Sequence, residues 1–542
     1  MLRSAPFGAA CAAMLAAVGL TASTWAHDMA GMPGTGSHHH HDGPGAGEKL
    51  GAVSFPNSCA AASQAGVTRG VALLHSFGYT KALQQFKAVA ETDPECAVAH
   101  WGVAMSRYHA LWEQPGADDM KLGREDLAQA RAIATASPKT TRRERDYIDA
   151  LGAFYDPADA PYSARADAYA AKMDALHAAY PDDVEAAAFD ALAILAAASP
   201  TDTSLEPQRR ALAILKPLFA AHPDHPGLAH YIIHTCDTPA LAQEGLDAAR
   251  LYARIAPASP HALHMPAHIF ARLGLWREDI ASNLASVAAS NAAMAAGEPG
   301  GAHQMHADEF LIYAWLQTGQ VKKAEALTAK MGAIGDHMAA MPGMDDMKDG
   351  GSFFDSELRA IFAMETHQWP RLAALQPETG AKPYYVYHIY WGRGVAAGRL
   401  HDPKLAAAAL ADFDRSMEAV DAFPFADALR GREVMRNEML GWQAYAEDRR
   451  DDAVVAMRKA ADQQDKLGQN EVDIPAREML GDLLLLEHRP SEALAEYRTA
   501  LRLSPNRLNG LRSAARAAYE AGHAAEARRY ELAAARQTAV GP

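Results

Sequence analysis

Four residues that recur at the same spacing near both ends of the chain constrain its fold more than any other feature. At relative positions 0, 12, 16 and 24, the first set is Gly70, Ala82, Phe86 and Pro94. About 400 residues later the same spacing returns in Gly481, Ala493, Tyr497 and Pro505. Between them lie alanine-rich segments broken by Gly, Pro or Asp, which is punctuation typical of helices and not of strands. A repeated spacing of this kind predicts a stack of similar helical hairpins.

These residues resemble the repeat of the tetratricopeptide-repeat (TPR) family, in which a small residue marks the crossing of two helices and a proline closes the repeat. A third set, Gly441, Ala453 and Met457, keeps the spacing without the proline. Pro223 and Pro257 stand 34 residues apart, which is the period of this repeat. By helix count the resemblance extends over most of residues 60–540. It implies an all-α solenoid, a superhelix of stacked hairpins with a concave inner groove.

The N-terminus predicts export. Arg3 precedes an apolar run from Ala9 to Leu20, and a small-residue cleavage site follows at Thr24–Ala26. We interpret residues 1–26 as a signal peptide, because the apolar run is short for a membrane span. No other stretch approaches the length of a spanning helix, so a protein in the periplasm or the extracellular medium is expected, with no membrane span after signal removal.

Charge and cysteine content narrow the partners and the redox state. The 542 residues carry a formal net charge of −15, which makes a nucleic-acid partner unexpected because phosphate binding requires clustered Lys and Arg. Three cysteines remain after signal removal. Cys59 and Cys96 lie near the ends of the first hairpin and are the expected disulfide in an oxidising compartment, which leaves Cys236 as a buried thiol.

The organisation along the chain follows from these features. Residues 27–56 are rich in Gly, Pro, His and Met and predict a flexible leader. Residues 57–420 predict a divergent TPR solenoid, with an insert at 335–352 that is too irregular for a helix pair. Residues 421–542 are expected to form further repeats. The sequence leaves open whether the two parts form one solenoid or two domains.

The repeat register turns scattered histidines into a pattern. Three pairs of histidines stand 34 residues apart: His75 and His109, His230 and His264, His234 and His268. The last two pairs occupy positions +7 and +11 after Pro223 and Pro257. The resemblance implies that these positions of the first helix of each repeat face the groove. His75 and His109 lie one turn farther along their helices and are expected to close the groove from the other side.

The pattern extends to the next repeat. Aligning Gly274 with Gly319 places three residues in register with His261, His264 and His268, namely His306, Glu309 and Tyr313. Three successive first helices would then present histidines to one surface. Residues four apart share a helix face, and packed helices lie 8–10 Å apart, so imidazoles from neighbouring helices can reach a common ion.

Two alternatives to a metal site remain. The histidines are either structural, which is the usual role of a lone histidine, or they line a groove for an acidic or polar peptide. Their repetition on three helices favours a transition metal, and imidazole suits zinc, copper, iron or nickel. Copper is favoured, with zinc or iron as alternatives, because soft ligands recur elsewhere. They are His27, Met29, Met32, His38–His41, His337, Met338, Met341, Met344 and Met347.

The predicted function is therefore a secreted solenoid that binds a transition metal in its groove. The metal serves either metal handling or catalysis. In a catalytic site, Glu309 is the candidate general base and Tyr313 the candidate proton or radical donor. The alternative is a non-enzymatic scaffold that holds a peptide or an envelope protein in the groove.

Overall fold

The computed structural model describes residues 48–539, apart from 112–113, 158, 200–201, 297–300, 341–346 and 419–425. Over this part of the chain the regular secondary structure is helical and contains no strand. The predicted all-α class is confirmed. The signal peptide and the His- and Met-containing part of the leader lie outside the described residues.

The helices follow one another in antiparallel pairs. In the first half they are α1 (Gln64–His75), α2 (Tyr79–Thr92), α3 (Ala97–Met105), α4 (Ala117–Ala136), α5 (Arg142–Tyr155), α6 (Tyr162–Ala179), α7 (Val184–Ala197), α8 (Glu206–Ala221), α9 (Pro226–Cys236), α10 (Ala242–Ile255), α11 (Pro260–His264), α12 (Pro266–Arg272) and α13 (Trp276–Ala295). Helices α11 and α12 are consecutive segments with only Met265 between them, and together they form the first element of one hairpin.

The second half continues the same arrangement. Its helices are α14 (Gly301–Gln317), α15 (Val321–Thr328), α16 (Met331–Ala339), α17 (Met347–Glu365), α18 (Trp369–Ala373), α19 (Tyr387–Arg399), α20 (Pro403–Glu418), α21 (Ala426–Ala446), α22 (Arg450–Leu467), α23 (Ala476–Leu486), α24 (Pro490–Leu503), α25 (Leu508–Glu520) and α26 (Ala524–Thr538). Each helix packs on the next one along the chain, except that α15 packs on α14 and α17. Short 3₁₀ turns lie at Ala61–Ser63 and Pro383–Tyr385.

The spaced glycines mark the points where paired helices cross. A Cβ atom on Gly70 would lie 2.5 Å from the ring of Phe86, the aromatic residue 16 positions later. A Cβ atom on Gly481 would lie 2.7 Å from the ring of Tyr497. Only a residue without a side chain lets the aromatic ring fill this crossing. The repeat therefore has the TPR-like packing that the spacing predicts.

Where the structure describes the insert predicted at 335–352, its residues are helical instead of irregular. Its described residues belong to α16 and α17, which pack on each other. Met331 and Met338 of α16 are buried against Leu358 and Phe362. A Cβ atom on Gly351 would lie 2.7 Å from the Cα atom of Gly335, so the glycines permit a close helix crossing instead of breaking the helices.

The predicted leader also ends earlier than residue 56. Leu50 and Phe55 are buried, and Phe55 stacks on Trp101 at 5.2 Å between ring centroids. The backbone N–H of Ala52 donates to the Asp224 carbonyl at 2.9 Å. Residues 50–56 are therefore packed on the solenoid through the apolar side chains of Leu50 and Phe55.

The Cys59–Cys96 disulfide is present and joins the start of the first hairpin to the start of α3. Cys236 is free and buried, as predicted. The bond closes a loop of 37 residues. The double variant Cys59→Ser/Cys96→Ala is expected to lose about 3–4 kcal/mol of unfolding free energy in urea titrations. Wild type unfolded under reducing conditions is the control, and an equal stability of the variant and the oxidised wild type would contradict this expectation.

The C-terminal repeats return to the middle of the chain. The indole N–H of Trp276 donates to the Asn506 carbonyl at 2.9 Å, and Gly274 lies directly against Pro505. Residues Lys49–Pro542 form one compact unit, so the boundary predicted near residue 420 does not separate two bodies. Among the described residues, no helix is both long and apolar enough to cross a membrane.

Candidate metal centres

Equivalent caps set the register of the histidine-bearing helices. The imidazole of His225 accepts a hydrogen bond from the Leu228 N–H at the start of α9, and the Ser259 hydroxyl accepts one from the Ala262 N–H at the start of α11. His225 and Ser259 are one repeat period apart. Helices α9 and α11 therefore start at equivalent points and present equivalent positions to the same side.

Three histidines from α9 and α11 form what we call the first centre: His230, His234 and His261. The Nε2 atom of His230 lies 3.0 Å from the Nε2 atoms of both His234 and His261. One ring nitrogen of each residue lies within 4.8 Å of the others. His230 and His261 are almost fully buried. This geometry matches three ligands that converge on one ion.

Three histidines from α11, α12 and α14 form the second centre: His264, His268 and His306. The Nε2 atoms of His264 and His268 are 3.0 Å apart. The ring of His306 lies 4.6 Å from that of His264 and 5.5 Å from that of His268, between centroids. These three residues also offer ring nitrogens within 4.8 Å of one another. The His306 side chain is 34% exposed, so solvent reaches this centre.

The second centre has the same arrangement of ligands as the first centre, shifted along the chain by one repeat. In each centre one repeat supplies a pair of histidines four residues apart, and the following first helix supplies the third. His261 and His306 are the two third ligands, and they are the positions that the Gly274–Gly319 alignment relates. Because His261 and His264 lie three residues apart on one helix face, the two centres are adjacent.

A phenylalanine packs against each centre. The ring of Phe77 lies 4.3 Å from His230, 5.2 Å from His234 and 5.6 Å from His261. The ring of Phe310 lies between 4.8 and 5.2 Å from the three histidines of the second centre. These apolar rings restrict the rotamers of the imidazoles and reduce the water around them.

Hydrogen bonds on the outer side fix the orientation of four of the six imidazoles. The Nδ1 atom of His230 lies 2.6 Å from the His75 carbonyl oxygen, and that of His264 lies 2.7 Å from the Asn283 Oδ1. Since these partners are acceptors, each Nδ1 carries the proton and each Nε2 lone pair faces the centre.

Carboxylates orient the other two of these four imidazoles. The Nδ1 atom of His268 lies 2.9 Å from Asp237 and 3.1 Å from Glu471, and that of His306 lies 2.7 Å from Glu309. Arg272 donates to Asp237 at 2.9 Å and lies 3.2 Å from Glu471, so the carboxylates are themselves held. Such outer partners are typical of histidines that ligate metals.

The protonation of the imidazoles differs between positions. Burial, followed by neighbouring histidines, holds the pKa of His230, His261 and His264 well below the ordinary 6.5 and lowers the pKa of His234 to about 3. Burial also opposes the charge on His268, but Asp237 and Glu471 outweigh it and raise its pKa to about 10. At neutral pH most ligands are therefore in the neutral form that binds metal.

His75 lies behind the first centre instead of in it. Its Nε2 atom is 2.6 Å from Glu185, and its Nδ1 atom is 2.9 Å from the Tyr231 hydroxyl. His225 also contacts Glu185, at 3.3 Å, and all three titratable groups are buried. Burial acts to raise the pKa of Glu185, but His75 and His225 lower it below its usual value. The carbonyl of His75, not its ring, serves the centre.

His109, Tyr313 and Glu309 occupy other positions than the sequence interpretation expected. His109 lies after the end of α3 with a φ of 50°, its ring 4.9 Å from that of Tyr79, and it joins neither centre. Tyr313 is buried, and its hydroxyl donates to the Asp473 carbonyl and contacts Arg507. Glu309 accepts from His306, so it orients a ligand instead of acting as an unengaged base.

Several residues of the site carried no periodic signal. His303 lies 5.1 Å from the ring of His261, one helical turn before His306, and this spacing was its only sign in the sequence. Asn283 belongs to the second helix of its hairpin. Glu471 lies in the segment between α22 and α23, about 200 residues from its histidine partner in the sequence.

A cavity of about 290 Å³ lies against the outer side of the second centre. Asp237, Arg272 and Glu471 form one wall, and Glu438 and Asp473 contribute to the rest of the lining. Burial raises the pKa of Glu438 well above its ordinary value and that of Asp473 to about 7. The cavity is therefore polar and less negative than its carboxyl content suggests.

Comparisons with known proteins add little about the site. The sequence matches no protein-family model and no curated protein. Similar solved structures include a human IFIT1 dimer with m7Gppp-AAAA, at 13% identity and a TM-score of 0.35 over 82% of this chain and 90% of that one. The APC/C Cut9–Hcn1 hetero-tetramer has 12% identity and a TM-score of 0.31 over 87% and 93%. The P58(IPK) TPR domain has 12% identity and a TM-score of 0.20 over 85% and 99%. Likenesses this distant carry no argument about function.

Proposed function

We propose that this protein holds two transition-metal ions side by side, one in each three-histidine centre, and that copper is the favoured metal. The observation that carries the proposal is the convergence of Nε2 atoms whose rings are oriented from outside. His230 and His264 have their protons on Nδ1, so their Nε2 lone pairs lie 3.0 Å from other histidine nitrogens. Nitrogens that share one ion at about 2.0–2.1 Å each lie at comparable separations.

The hydrogen bonds and aromatic rings around the imidazoles favour ions that stay bound to the protein over ions that it carries and releases. A carrier exchanges its ion and benefits from mobile ligands, whereas these imidazoles are packed by Phe77 and Phe310 and held by hydrogen bonds. Such preorganisation is the common property of sites that keep a metal for chemistry. Three protein ligands leave each ion an open position, which water, O₂ or a small substrate can occupy.

The roles of the chain's own residues follow from this arrangement. The six histidines would supply the ligand nitrogens, and Asn283, the Asp237/Glu471 pair and Glu309 accept hydrogen bonds from the outer Nδ1 atoms of His264, His268 and His306. The phenylalanines exclude water from the ligands, and the partly exposed His306 lies on the side from which small molecules reach the second centre. When bound, the ions would supply Lewis-acid or redox chemistry.

Copper is favoured on chemical grounds, with zinc or iron as the alternatives. Imidazole suits all three ions, and the His- and Met-rich leader adds soft ligands that select copper. Met338 no longer contributes to this argument, because it is a core residue. The leader histidines lie outside the described residues and enter only as a sequence argument.

An exported location accompanies the proposal. The signal-like residues 1–26 predict export to the periplasm or the medium, and the Cys59–Cys96 bond is of the kind that persists in an oxidising compartment. Fractionation of cells that produce the full chain tests this, with N-terminal sequencing of the mature protein. Recovery of an uncleaved chain in the cytoplasm would contradict it.

Elemental analysis tests the metal proposal. Protein purified without a metal-affinity step is expected to contain about two transition-metal ions per chain. These ions should be released on acidification, because protons compete for imidazole nitrogens. The second centre should lose its ion at the higher pH, because the pKa of His268 is raised whereas that of His234 is lowered to about 3. A variant with His38–His41 replaced by alanine should keep both ions, since neither proposed centre includes a leader histidine.

Two outcomes would contradict the proposal. Loss of all metal in the leader variant would place the site in the leader. Protein without metal that also fails to bind added Cu²⁺ or Zn²⁺ would leave the histidines structural and favour the scaffold alternative, in which the groove holds a peptide.

A further inference from the structure

The two centres have the same ligands but different outer surroundings. In the first centre, His230 contacts the backbone carbonyl of His75 and the aromatic rings of Phe77 and Tyr252. Asp237 reaches His234 only through its longer-range field, which acts to raise the pKa of His234. Among the described contacts, no carboxylate hydrogen-bonds to His230 or His234.

The second centre is surrounded by anionic acceptors. Asp237 and Glu471 both lie within 3.1 Å of the Nδ1 atom of His268, and Glu309 lies 2.7 Å from that of His306. Arg272 neutralises part of this charge, because it pairs with Asp237 and Glu471. Burial raises the pKa of Glu471, so this outer layer is less negative than three carboxylates suggest, but its acceptors are carboxylates whereas the acceptor for His230 is a neutral carbonyl.

This difference acts on the metal through the ligands. A carboxylate that accepts the Nδ1 proton makes the imidazole a stronger donor, whereas a backbone carbonyl does so much less. A negative charge near the site also stabilises a higher charge on the ion. Both effects operate at the second centre. Aromatic rings pack against both centres, so the carboxylates and not the rings distinguish them.

We infer that the two centres are electronically unequal: the second centre prefers the more highly charged ion, and the first centre prefers the less highly charged one. With copper, the second centre selects Cu(II) and the first selects Cu(I). The inference rests on the proposed function, since it requires an ion in each centre. Asp237, Glu471 and Glu309 are in this view positioning residues that set the metal's charge through His268 and His306.

The test uses full mature protein with one centre removed at a time. The variant His264→Ala leaves the first centre and His230→Ala leaves the second. For each, the affinities for Cu(II) and Cu(I) are measured by competition with chelators, the latter under dithionite. The ratio of Cu(II) to Cu(I) affinity is expected to be at least about 10-fold higher for the second centre, a size typical of outer-shell effects.

Charge-removing variants then assign the cause. In the chain that keeps the second centre, Glu471→Gln is expected to lower the ratio by about 10-fold, with a corresponding shift of the Cu(II) electron paramagnetic resonance spectrum. Glu309→Gln, which acts on a different ligand, should lower it as well. In the chain that keeps the first centre, Glu471→Gln should change the ratio by less than about threefold. The exposed Glu244→Gln is the matched control.

The outcomes separate this inference from the proposed function. If neither single-centre chain binds copper, the proposed function fails and the inference fails with it. If both bind copper with equal ratios, or Glu471→Gln shifts both ratios alike, the inference is wrong while metal binding stands. Circular dichroism and melting of each variant exclude misfolding as the cause, and agreement between Glu471→Gln and Glu309→Gln guards against a local defect.

Discussion

Replacing His230 with alanine is expected to leave one bound metal ion per chain instead of two. The Nε2 atom of this residue lies 3.0 Å from those of both other histidines of the first centre, so its loss removes the ligand that joins them. The affinity of that centre should fall by at least about 100-fold, the upper end of the loss caused by outer-shell substitutions. Elemental analysis after dialysis measures the remaining ion.

The second centre provides the complementary variant and the surface provides the control. His264→Ala should also leave one ion, and the combined variant should leave none. His222→Ala removes an exposed histidine close to α9 and should keep both ions. Loss of both ions from either single variant would mean that the six histidines form one site, and retention of both would remove these residues from the metal proposal.

The repeat register in the sequence predicted most of the histidines of the site. The spacing of Gly70 and Phe86 predicted the helix crossing that the structure contains, and the 34-residue step predicted that His230 and His264 occupy equivalent positions. The repeat register did not predict how far neighbouring helices are shifted along their axes relative to each other. That shift pairs His230 and His234 with His261, so four histidines expected in one space divide between two centres.

The outer residues could not be predicted for a different physical reason. Glu471 contacts His268 from a segment about 200 residues away in the sequence, and local periodicity gives no information about such a distant contact. The prediction of an irregular segment in the insert failed because glycine can either interrupt a helix or allow two helices to pack closely. Gly335 and Gly351 permit close packing of α16 and α17, which Met331 and Met338 stabilise from the core.

Replacing Arg507 with methionine is expected to destabilise the protein by about 3–5 kcal/mol in urea titrations. Its guanidinium is 1% exposed and donates to Glu365 at 2.7 Å and to Glu478 at 3.0 Å. It also donates to the Asp473 carbonyl at 3.0 Å. Without Arg507 two buried carboxylates lose their counter-charge, and burial already acts to raise the pKa of Glu478.

The same variant links the fold to the second centre. Asp473 lies two residues after Glu471, so Arg507 fixes the segment that contacts His268, and Arg507→Met should weaken metal binding at the second centre more than at the first. Adding Glu365→Gln and Glu478→Gln should recover much of the lost stability, because the unpaired charges are then gone.

Arg498→Met breaks a more exposed pair with Glu526 and should cost less than about 1 kcal/mol. Equal costs for the Arg507 and Arg498 variants would show that the buried carboxylates accept protons freely and that the return of the C-terminal repeats depends on apolar packing instead.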